Sequence, residues 1–538
     1  MKEREIVGIM KKTVMVPRAK EEKFFDAKLS LASCVEFTAD NYVEKIGHLF
    51  RYLIPEIEWA NSESGTVVIN YSESIVNEGY ILKIKNSKVE ITYSDYSGIR
   101  NAVASLSNLI ASDLTVCECE IYDYPKCSYR GIMLDMGRDV EVFEKVKADL
   151  ILAAKSKMNY FHFNLHDDKG SGIQLKSLPE RCYVKEAYSY EQVAELIKLC
   201  DVLALEIIPG FDLPAHQPTI LAAFDEMVCV TGKEVPSKWC ACAGSEKTYE
   251  VYEAVIDELT QLFPGKYFHV GGDELYIEDA PKRNLFCEWE SCSRCKDYMI
   301  KNDISDRREM YYHVMTRVYE MLKKRGKTMI MWSDQVDTNR EVKLPRDIIF
   351  QFWRVAGEGR GPRENCSMNH QLKLGYKVIN ADFPNTYLVE EAHMNSEHLK
   401  DWYFDEEPYS DKELKENIWG SELCIWDYPI KRCAHYAYSL PSATVLMGDK
   451  LWNKDSLPYS DEYEAAVTKT IVGLKTPDGF NVFKAIGDVL PPRSNLKVYK
   501  DKITISEEEI KKIVGTLDTL RGNIRADAYK KCIEEGSV

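Results

Sequence analysis

The chain has 538 residues, too many for one ordinary hydrophobic core, and its 45% hydrophobic and 29% charged residues are typical of a globular protein. Its 86 acidic and 70 basic side chains give a formal net charge of −16. Because we find no clustered Lys and Arg with interleaved aromatic residues, nucleic acid is not an expected partner.

The N-terminal residues do not sustain the apolar core of a secretory signal, and no window reaches the ~20 apolar residues of a membrane span. For a chain that has not already been processed, this pattern predicts a cytoplasmic protein without a membrane partner. The 16 cysteines are then expected to be reduced thiols.

Residues 1–125 are predicted to form a small α/β domain. The run EGYILKIKNSKVEITYSD contains two segments of alternating apolar residues joined by Asn86 and Ser87, which predicts a β-hairpin. The following GIRNAVASLSNLI has apolar residues at helical spacing.

Residues 126–440 alternate short apolar segments with amphipathic helical patterns. We count eight strand candidates: RGIMLD, YFHFNL, EIIPG, YFHVGG, KTMIMWS, IIFQFW, KVINAD and NIWGSELCIW. Strands that are apolar at nearly every position are typical of parallel strands buried on both faces. The sequence therefore predicts an α/β fold with a (β/α)8 TIM barrel. A doubly wound open sheet is the alternative, but no GxGxxG follows the first strand.

Residues 441–538 are predicted to form a mostly helical C-terminal region. Its last pattern, residues 507–535, is expected to pack on the barrel or on a partner subunit, which would give a homodimer.

Acidic and aromatic residues follow the predicted strands, at the barrel end where active sites form. They include Asp135, His162, Asp167, Asp168, Asp212, His216, Asp273, Glu274, Trp332, Asp334, Trp353, Asp382, Tyr387, Trp426 and Asp427. Aromatic rings pack on the C–H face of a sugar and carboxylates accept bonds from its hydroxyls, so this mixture favours a carbohydrate ligand.

Four motifs occur in order on successive strands: RGIMLD, MNYFHFNLHDDKG, IPGFDLPAH and FHVGGDE. Together they resemble the signatures of glycoside hydrolase family 20, the β-N-acetylhexosaminidases, over roughly residues 78–426. The resemblance implies an exo-acting retaining enzyme that needs no cofactor and acts on glycans with a terminal β-linked N-acetylglucosamine or N-acetylgalactosamine.

The resemblance also implies substrate-assisted catalysis, in which the 2-acetamido oxygen of the sugar attacks the anomeric carbon to give an oxazolinium intermediate. Glu274 would be the general acid/base, and Asp273 would stay ionised and hold the acetamide N–H.

Further positions carry over as substrate-binding residues. Arg130 matches an arginine that binds sugar hydroxyls, and Asp167 and His216 match residues that support the acid. A core or salt-bridge role is the alternative for each of them. The acetamide pocket and the sugar platform would be formed by Trp332, Trp353, Tyr387 and Trp426.

The sequence departs from the family pattern where the sugar's O4 and O6 are usually held. Val389 and Tyr428 stand at those positions, and Asp427 or Glu390 is the candidate substitute. The configuration at C4 and any substituent at O6 are therefore left open.

Cysteines 287, 292 and 295 form a cluster that is a candidate structural zinc site with Cys240 and Cys242 upstream, the alternative being unmetallated thiols. No catalytic metal is predicted. A metal-dependent barrel hydrolase, a non-catalytic sugar-binding barrel and a glycosidase with a carboxylate nucleophile are the competing hypotheses.

Overall fold

The computed structural model describes residues 14–472, 474 and 476–477, apart from 276–285, 338–339, 354–366, 384, 389–398, 400–401, 406–409, 427, 429–435, 459 and 473. Across these residues we find no helix with the length and hydrophobicity needed to cross a bilayer. The helical pattern predicted at residues 507–535 lies outside the described residues.

The N-terminal domain is a seven-stranded sheet in the order β1-β7-β5-β6-β4-β2-β3. Its strands are β1 (Glu21–Ser30), β2 (Cys34–Ala39), β3 (Glu58–Asn61), β4 (Val67–Tyr71), β5 (Tyr80–Lys85), β6 (Lys88–Tyr93) and β7 (Thr115–Asp123), and its helices are α1 (Val43–Leu53) and α2 (Tyr96–Leu109). The predicted hairpin is β5 and β6, whose turn residues Asn86 and Ser87 both have positive φ, as a type I′ turn requires.

All eight predicted barrel strands are present in the described chain. They are β8 (Tyr129–Asp135), β9 (Tyr160–Asp167), β12 (Glu206–Leu213), β13 (Tyr267–Gly271), β14 (Thr328–Trp332), β15 (Ile349–Phe352), β16 (Lys377–Asn380) and β18 (Ile418–Ile425). Neighbours pair in parallel, and β8 pairs with both β9 and β18, which closes the ring. The TIM barrel is confirmed and the open sheet is excluded.

Helices surround the barrel, and short strands extend the sheet at its rim. The helices are α3 (Phe143–Lys155), α4 (Tyr190–Val202), α5 (Pro218–Ala223), α6 (Glu246–Leu262), α7 (Ser293–Lys301), α8 (Arg307–Lys324), α9 (Met368–Lys373), α10 (Tyr436–Asn453) and α11 (Asp461–Val472). The rim strands are β10 (Gly170–Ile173), β11 (Tyr183–Tyr188) and β17 (Tyr387–Leu388). Helix α10 runs through residue 440, where the sequence predicts the start of the C-terminal region.

The barrel interior is filled in layers. Aromatic rings of Tyr129, Tyr160, Tyr267 and Trp419 pack at the amino-terminal end. Above them the buried Glu422 accepts hydrogen bonds from Tyr129 and from Gln351 Nε2 at 2.6 Å, and lies 3.0 Å from His162 Nδ1. Side chains thus close the amino-terminal end, so the substrate is expected at the other end.

Arg130 lies at the closed end of the barrel, and the prediction that it binds the sugar is wrong. Its fully buried side chain forms an ion pair with Glu78 of the N-terminal domain and donates to the carbonyl oxygens of Cys127 and Lys157. β8 runs from Tyr129 to Asp135, so Arg130 is separated from the mouth by most of the strand. Arg130 therefore joins the two domains.

Replacing Arg130 by Met should lower stability and leave catalysis intact, because Glu78 would lose its partner at a largely buried site. The expected cost is about 3 kcal/mol in the free energy of unfolding, measured by chemical denaturation. The double variant Arg130→Met/Glu78→Gln should recover part of that loss. A change in KM above fivefold, with an unchanged free energy of unfolding, would contradict this assignment.

Candidate active site

Residues from three neighbouring strands meet at the carboxyl end of the barrel around one histidine. His216 follows β12, and its Nδ1 lies 2.8 Å from Asp167 Oδ1 at the end of β9. On the opposite side of the ring, Nε2 lies 3.7 Å from Asp273 Oδ2 and 3.7 Å from Glu274 Oε2, both just beyond β13. The predicted acids, His216 and Asp167 are thus brought together.

Two glycines allow β13 to turn into this site. Gly271 has a φ of 65°, and a Cβ there would lie 2.0 Å from Asp212 Oδ1, closer than any side chain can approach. Gly272 has a φ of 92°, and its carbonyl oxygen accepts a hydrogen bond from Tyr311 at 2.7 Å. Only glycine fits where the left-handed backbone meets the Asp212 carboxylate, so the GG pair explains how Asp273 and Glu274 reach the mouth.

Glu274 is the more accessible of the two acids, with 25% of its side chain exposed. Its φ of 49° is left-handed, a conformation that a glutamate keeps only when its surroundings hold it. Its backbone N–H donates to Asp334 Oδ2 at 3.2 Å, and its carbonyl oxygen accepts from Trp239 Nε1 at 2.9 Å. Both contacts fix the direction in which the carboxyl group enters the mouth.

Asp273 is buried, with 8% of the residue exposed, and its Oδ1 has no hydrogen-bond partner within the described part of the chain. Burial raises the pKa of Asp273 to about 7; the cation of His216 opposes the rise, while Asp334 and Glu274 add to it. The resemblance implies an ionised Asp273, whereas in the ligand-free site this carboxyl group keeps its proton up to about pH 7. Its unpartnered oxygen is available to a ligand.

Asp167 and His216 form an ion pair at the site. Burial lowers the pKa of His216, but the carboxylates of Asp167 and Asp273 outweigh it and raise that pKa well above its usual value. Burial also acts to raise the pKa of Asp167, yet Arg138 and His216 together hold it below the usual range. His216 is therefore an imidazolium whose Nε2 faces both acids.

The raised pKa of Asp273 predicts how stability changes with pH. Between pH 3.8 and about 7 the folded protein keeps a proton that the unfolded chain has lost, so this group's contribution to stability falls as pH rises through that window. Asp273→Asn removes the titration. We expect its melting temperature, relative to the parent, to rise from pH 4 to about pH 7 and to level off above that.

Thermal melts at several pH values test this expectation, with the exposed Asp40→Asn as the matched control. The control should show no such trend. A difference between Asp273→Asn and the parent that stays constant across the range would contradict the raised pKa.

Arg138 brings a guanidinium group to the barrel mouth, and it was not assigned a role from sequence. Its guanidinium lies 2.9 Å from Asp135 Oδ2, 2.9 Å from Asp167 Oδ1 and 3.2 Å from Asp168 Oδ1. It also lies 5.1 Å from the ring centroid of Trp426. Arg138 stands three residues after the carboxyl end of β8. Functional residues of a TIM barrel are expected at such positions.

The predicted aromatic residues converge beside the acids. Ring centroids are 5.9 Å apart for Trp332 and Trp426, 6.2 Å for Trp353 and Tyr387, and 6.2 Å for Tyr387 and Trp426. Trp332 is buried against His269, which packs inside the barrel. Trp353 and Trp426 are partly exposed. The four rings form an aromatic wall, a surface that can pack on the C–H face of a sugar.

The residues expected near the sugar's O4 and O6 are not seen to converge on the mouth in the described part of the chain. Tyr428 is fully buried, and its hydroxyl donates to Asp149 on α3, so it points away from the mouth. It therefore cannot hydrogen-bond to the sugar's O6. Asp427, Val389 and Glu390 lie outside the described residues, so the substrate-binding role predicted for Asp427 stays a prediction.

Trp239 and Asp334 both hold the Glu274 backbone. Trp239 was not assigned from sequence, and Asp334 was noted only as a residue that follows a predicted strand. Trp239 also packs on His216, with ring centroids 4.3 Å apart. It lies in the segment between α5 and α6, 35 residues before Glu274, so no local pattern indicates the contact. Asp334 stands two residues after β14, and that position at a strand end was the available signal.

Asp167, Asp212 and His216 also form a group whose ligand atoms all lie within 4.8 Å of one another, as a metal site would require. Arg138 lies 2.9 Å from Asp167, however, and burial together with Asp273 and Asp167 raises the pKa of Asp212 well above its usual value. A neighbouring cation and a raised pKa at one of the ligands both disfavour a divalent ion.

Comparison with known sequences gives two family matches. The model of the glycosyl hydrolase family 20 catalytic domain matches residues 127–455, and that of glycosyl hydrolase family 20 domain 2 matches residues 14–124. Among curated relatives, the beta-hexosaminidase of Porphyromonas gingivalis is 28% identical over 348 residues, covering 59% of this chain and 43% of that protein. The beta-hexosaminidase of Vibrio furnissii is 24% identical over 469 residues, covering 79% of this chain and 72% of that protein.

Solved structures share the fold. The beta-N-acetylhexosaminidase from Bacteroides fragilis superposes with a TM-score of 0.71 at 23% identity, covering 84% of this chain and 93% of that chain. The GH20 exo beta-N-acetylglucosaminidase from Vibrio harveyi, in complex with N-acetylglucosamine, gives a TM-score of 0.71 at 19% identity, covering 86% and 77%.

Proposed function

Because the chain belongs to glycosyl hydrolase family 20, we propose that it is an exo-acting retaining β-N-acetylhexosaminidase. It releases terminal β-linked N-acetylglucosamine or N-acetylgalactosamine from a glycan. The observation that carries the proposal is the buried, unpartnered Oδ1 of Asp273 beside Glu274, next to the aromatic wall of Trp332, Trp353, Tyr387 and Trp426.

In the first step the substrate's acetamide carbonyl oxygen attacks the anomeric carbon as the glycosidic C–O bond breaks. Glu274 donates its proton to the leaving oxygen, so the leaving group departs as a neutral alcohol. Asp273 accepts the acetamide N–H and opposes the positive charge that develops on the oxazolinium ring. His216 favours the ionised form of Asp273, because its cation lies 3.7 Å from that carboxyl group.

In the second step Glu274, now ionised, takes a proton from water, and the water oxygen attacks the same face of the anomeric carbon that the leaving group occupied. The acetamide re-forms and the sugar leaves with retained configuration. The substrate supplies the nucleophile, which explains why the two acids can be adjacent in sequence.

A panel of aryl β-glycosides tests the proposal: the N-acetylglucosaminide, the N-acetylgalactosaminide, their 6-phosphates and the plain glucoside. We expect turnover of one or both N-acetyl sugars and none of the glucoside. Failure of the whole panel would favour the non-catalytic sugar-binding barrel, and hydrolysis of the glucoside at a similar rate would favour a carboxylate nucleophile.

The second candidate is a metal-dependent hydrolase, favoured by the Asp167, Asp212 and His216 group. In that case Asp212→Asn would lose bound metal together with activity. Under the proposed mechanism the metal content of Asp212→Asn equals that of the parent. Cytoplasmic location and dimerisation remain proposals, and size measurement in solution tests the latter.

A further inference from the structure

Four buried cysteines converge beside the barrel mouth: Cys229, Cys242, Cys292 and Cys295. Their Sγ atoms all lie within 4.8 Å of one another, and that of Cys242 is 3.6 Å from those of Cys292 and Cys295. Sulfurs around one tetrahedral zinc, with Zn–S bonds of about 2.3 Å, are ~3.8 Å apart. A disulfide needs about 2.05 Å. The spacing fits one tetrahedral ion and no disulfide.

This four-sulfur group corrects the cysteine cluster predicted from sequence. Cys292 and Cys295 belong to it, but Cys287 and Cys240 do not. The partners are Cys242 and Cys229, and Cys229 lies 63 positions before Cys292 along the chain. Cys229 and Cys242 thus come from the segment between α5 and α6, and Cys292 and Cys295 from the start of α7.

The surroundings of the group suit thiolates rather than thiols. Cys292 is the N-cap residue of α7, where the partial positive charge of the helix end favours a negative ligand. The backbone N–H of Val230 donates to Cys292 Sγ at 3.2 Å. Arg294, between the two α7 cysteines, is held near the group by donating to the carbonyl oxygens of Glu226 and Val228.

Close backbone contacts also connect the two segments that carry the four cysteines. Gly244, two residues after Cys242, lies so close to α7 that a Cβ there would be 2.3 Å from the carbonyl oxygen of Arg294. Cys242 N donates to the carbonyl oxygen of Met227 at 2.8 Å, and Ser293 N to that of Val230 at 2.9 Å. The two segments are thus held together over several residues around the sulfurs.

We propose that Cys229, Cys242, Cys292 and Cys295 bind one zinc ion, which joins the segment between α5 and α6 to the start of α7. All four ligand positions are filled by sulfur, so the site is structural and leaves no position for a substrate or water. The proposal does not rest on the activity of the barrel.

The zinc site would also position the catalytic pair. Trp239, three residues before Cys242, donates to the Glu274 carbonyl oxygen and packs on His216. Trp289, three residues before Cys292, donates to the carbonyl oxygen of Ala241 at 2.8 Å. A zinc ion at the four sulfurs would therefore hold Trp239 in place, and Trp239 in turn holds the backbone of Glu274.

Metal analysis of the full-length protein, purified without chelator, tests the proposal directly. We expect about one zinc per chain. Protein grown with cobalt should show the intense visible absorption of a tetrahedral Co²⁺–thiolate centre. Four titratable thiols without metal, a disulfide among these cysteines in a non-reducing peptide map, or stoichiometric iron in place of zinc would each overturn the assignment.

Variants locate the ion. Cys292→Ser/Cys295→Ser should purify with less than about a fifth of the parent's zinc, because only two ligands remain. The matched control is Cys240→Ser, which changes a buried cysteine two residues from Cys242 and should keep the full zinc content. If the double variant does not fold, zinc and cobalt in the parent still decide the proposal. Equal zinc in the folded double variant and the parent would overturn it.

Discussion

Replacing Glu274 by Gln is expected to lower kcat/KM for aryl β-N-acetylglucosaminides by about 10²- to 10⁴-fold, the usual contribution of a general acid/base. Gln keeps the size of the side chain but cannot donate a proton to the leaving oxygen. The backbone contacts to Trp239 and Asp334 do not involve the carboxyl group, so the fold should be unaffected.

The loss should depend on the leaving group. Substrates with a poor leaving group need the proton and should lose most, whereas a dinitrophenolate can depart unprotonated and should lose least. The matched control is Glu320→Gln on α8, an exposed glutamate far along the chain, which should keep parental rates. Activity of Glu274→Gln within tenfold of the parent on poor leaving groups would remove Glu274 from the mechanism.

Replacing Asp273 by Asn is expected to cost about 10²- to 10³-fold in kcat/KM, the range seen when one charge-stabilising group is removed from an active site. Asn can still accept the acetamide N–H but has no negative charge to oppose the oxazolinium. The loss should be similar for good and poor leaving groups, because Asp273 assists the nucleophile rather than the departure.

Asp273→Ala, which removes the acceptor as well, separates the two contributions. If the charge dominates, Asn and Ala should lose similar amounts; if the hydrogen bond dominates, Asn should retain most activity. A parental rate for Asp273→Asn on every substrate would show that the buried carboxylate has no part in catalysis.

Arg138, eight residues after Arg130, provides a contrast with it. Arg138→Met removes the cation that holds Asp167, so His216 loses its fixed orientation, and kcat/KM should fall by about 100-fold. Kinetic measurements on Arg130→Met, corrected for its folded fraction, should give parental values. The opposite ranking of the two variants would reverse the assignment of the arginines.

The barrel and the position of Asp273 and Glu274 at its mouth could be predicted from sequence because their signals are local. Strands buried on both faces appear as short apolar runs, and FHVGGDE contains its own turn, since Gly271 must approach Asp212 and Glu274 must follow a strand end. These features need no knowledge of distant residues.

Contacts between loops could not be predicted in this way. Arg130 was misassigned because it was carried over from the family resemblance although it stands at the start of RGIMLD, where five rises of about 3.3 Å place it ~17 Å from the carboxyl end of the strand. Trp239 reaches Glu274 from another loop, and Cys229 replaces the predicted Cys287 because the fourth sulfur comes from a distant segment. Such pairs are fixed by tertiary packing alone.

A series of fluorinated substrates tests directly whether the substrate's own acetamide is the nucleophile. Aryl β-glucosaminides whose N-acyl group carries zero, one, two or three fluorine atoms differ mainly in the nucleophilicity of the acyl oxygen. We expect kcat/KM to fall steeply with each fluorine, since that oxygen forms the bond to the anomeric carbon. A rate independent of fluorination would show that another group is the nucleophile and would contradict the proposed mechanism.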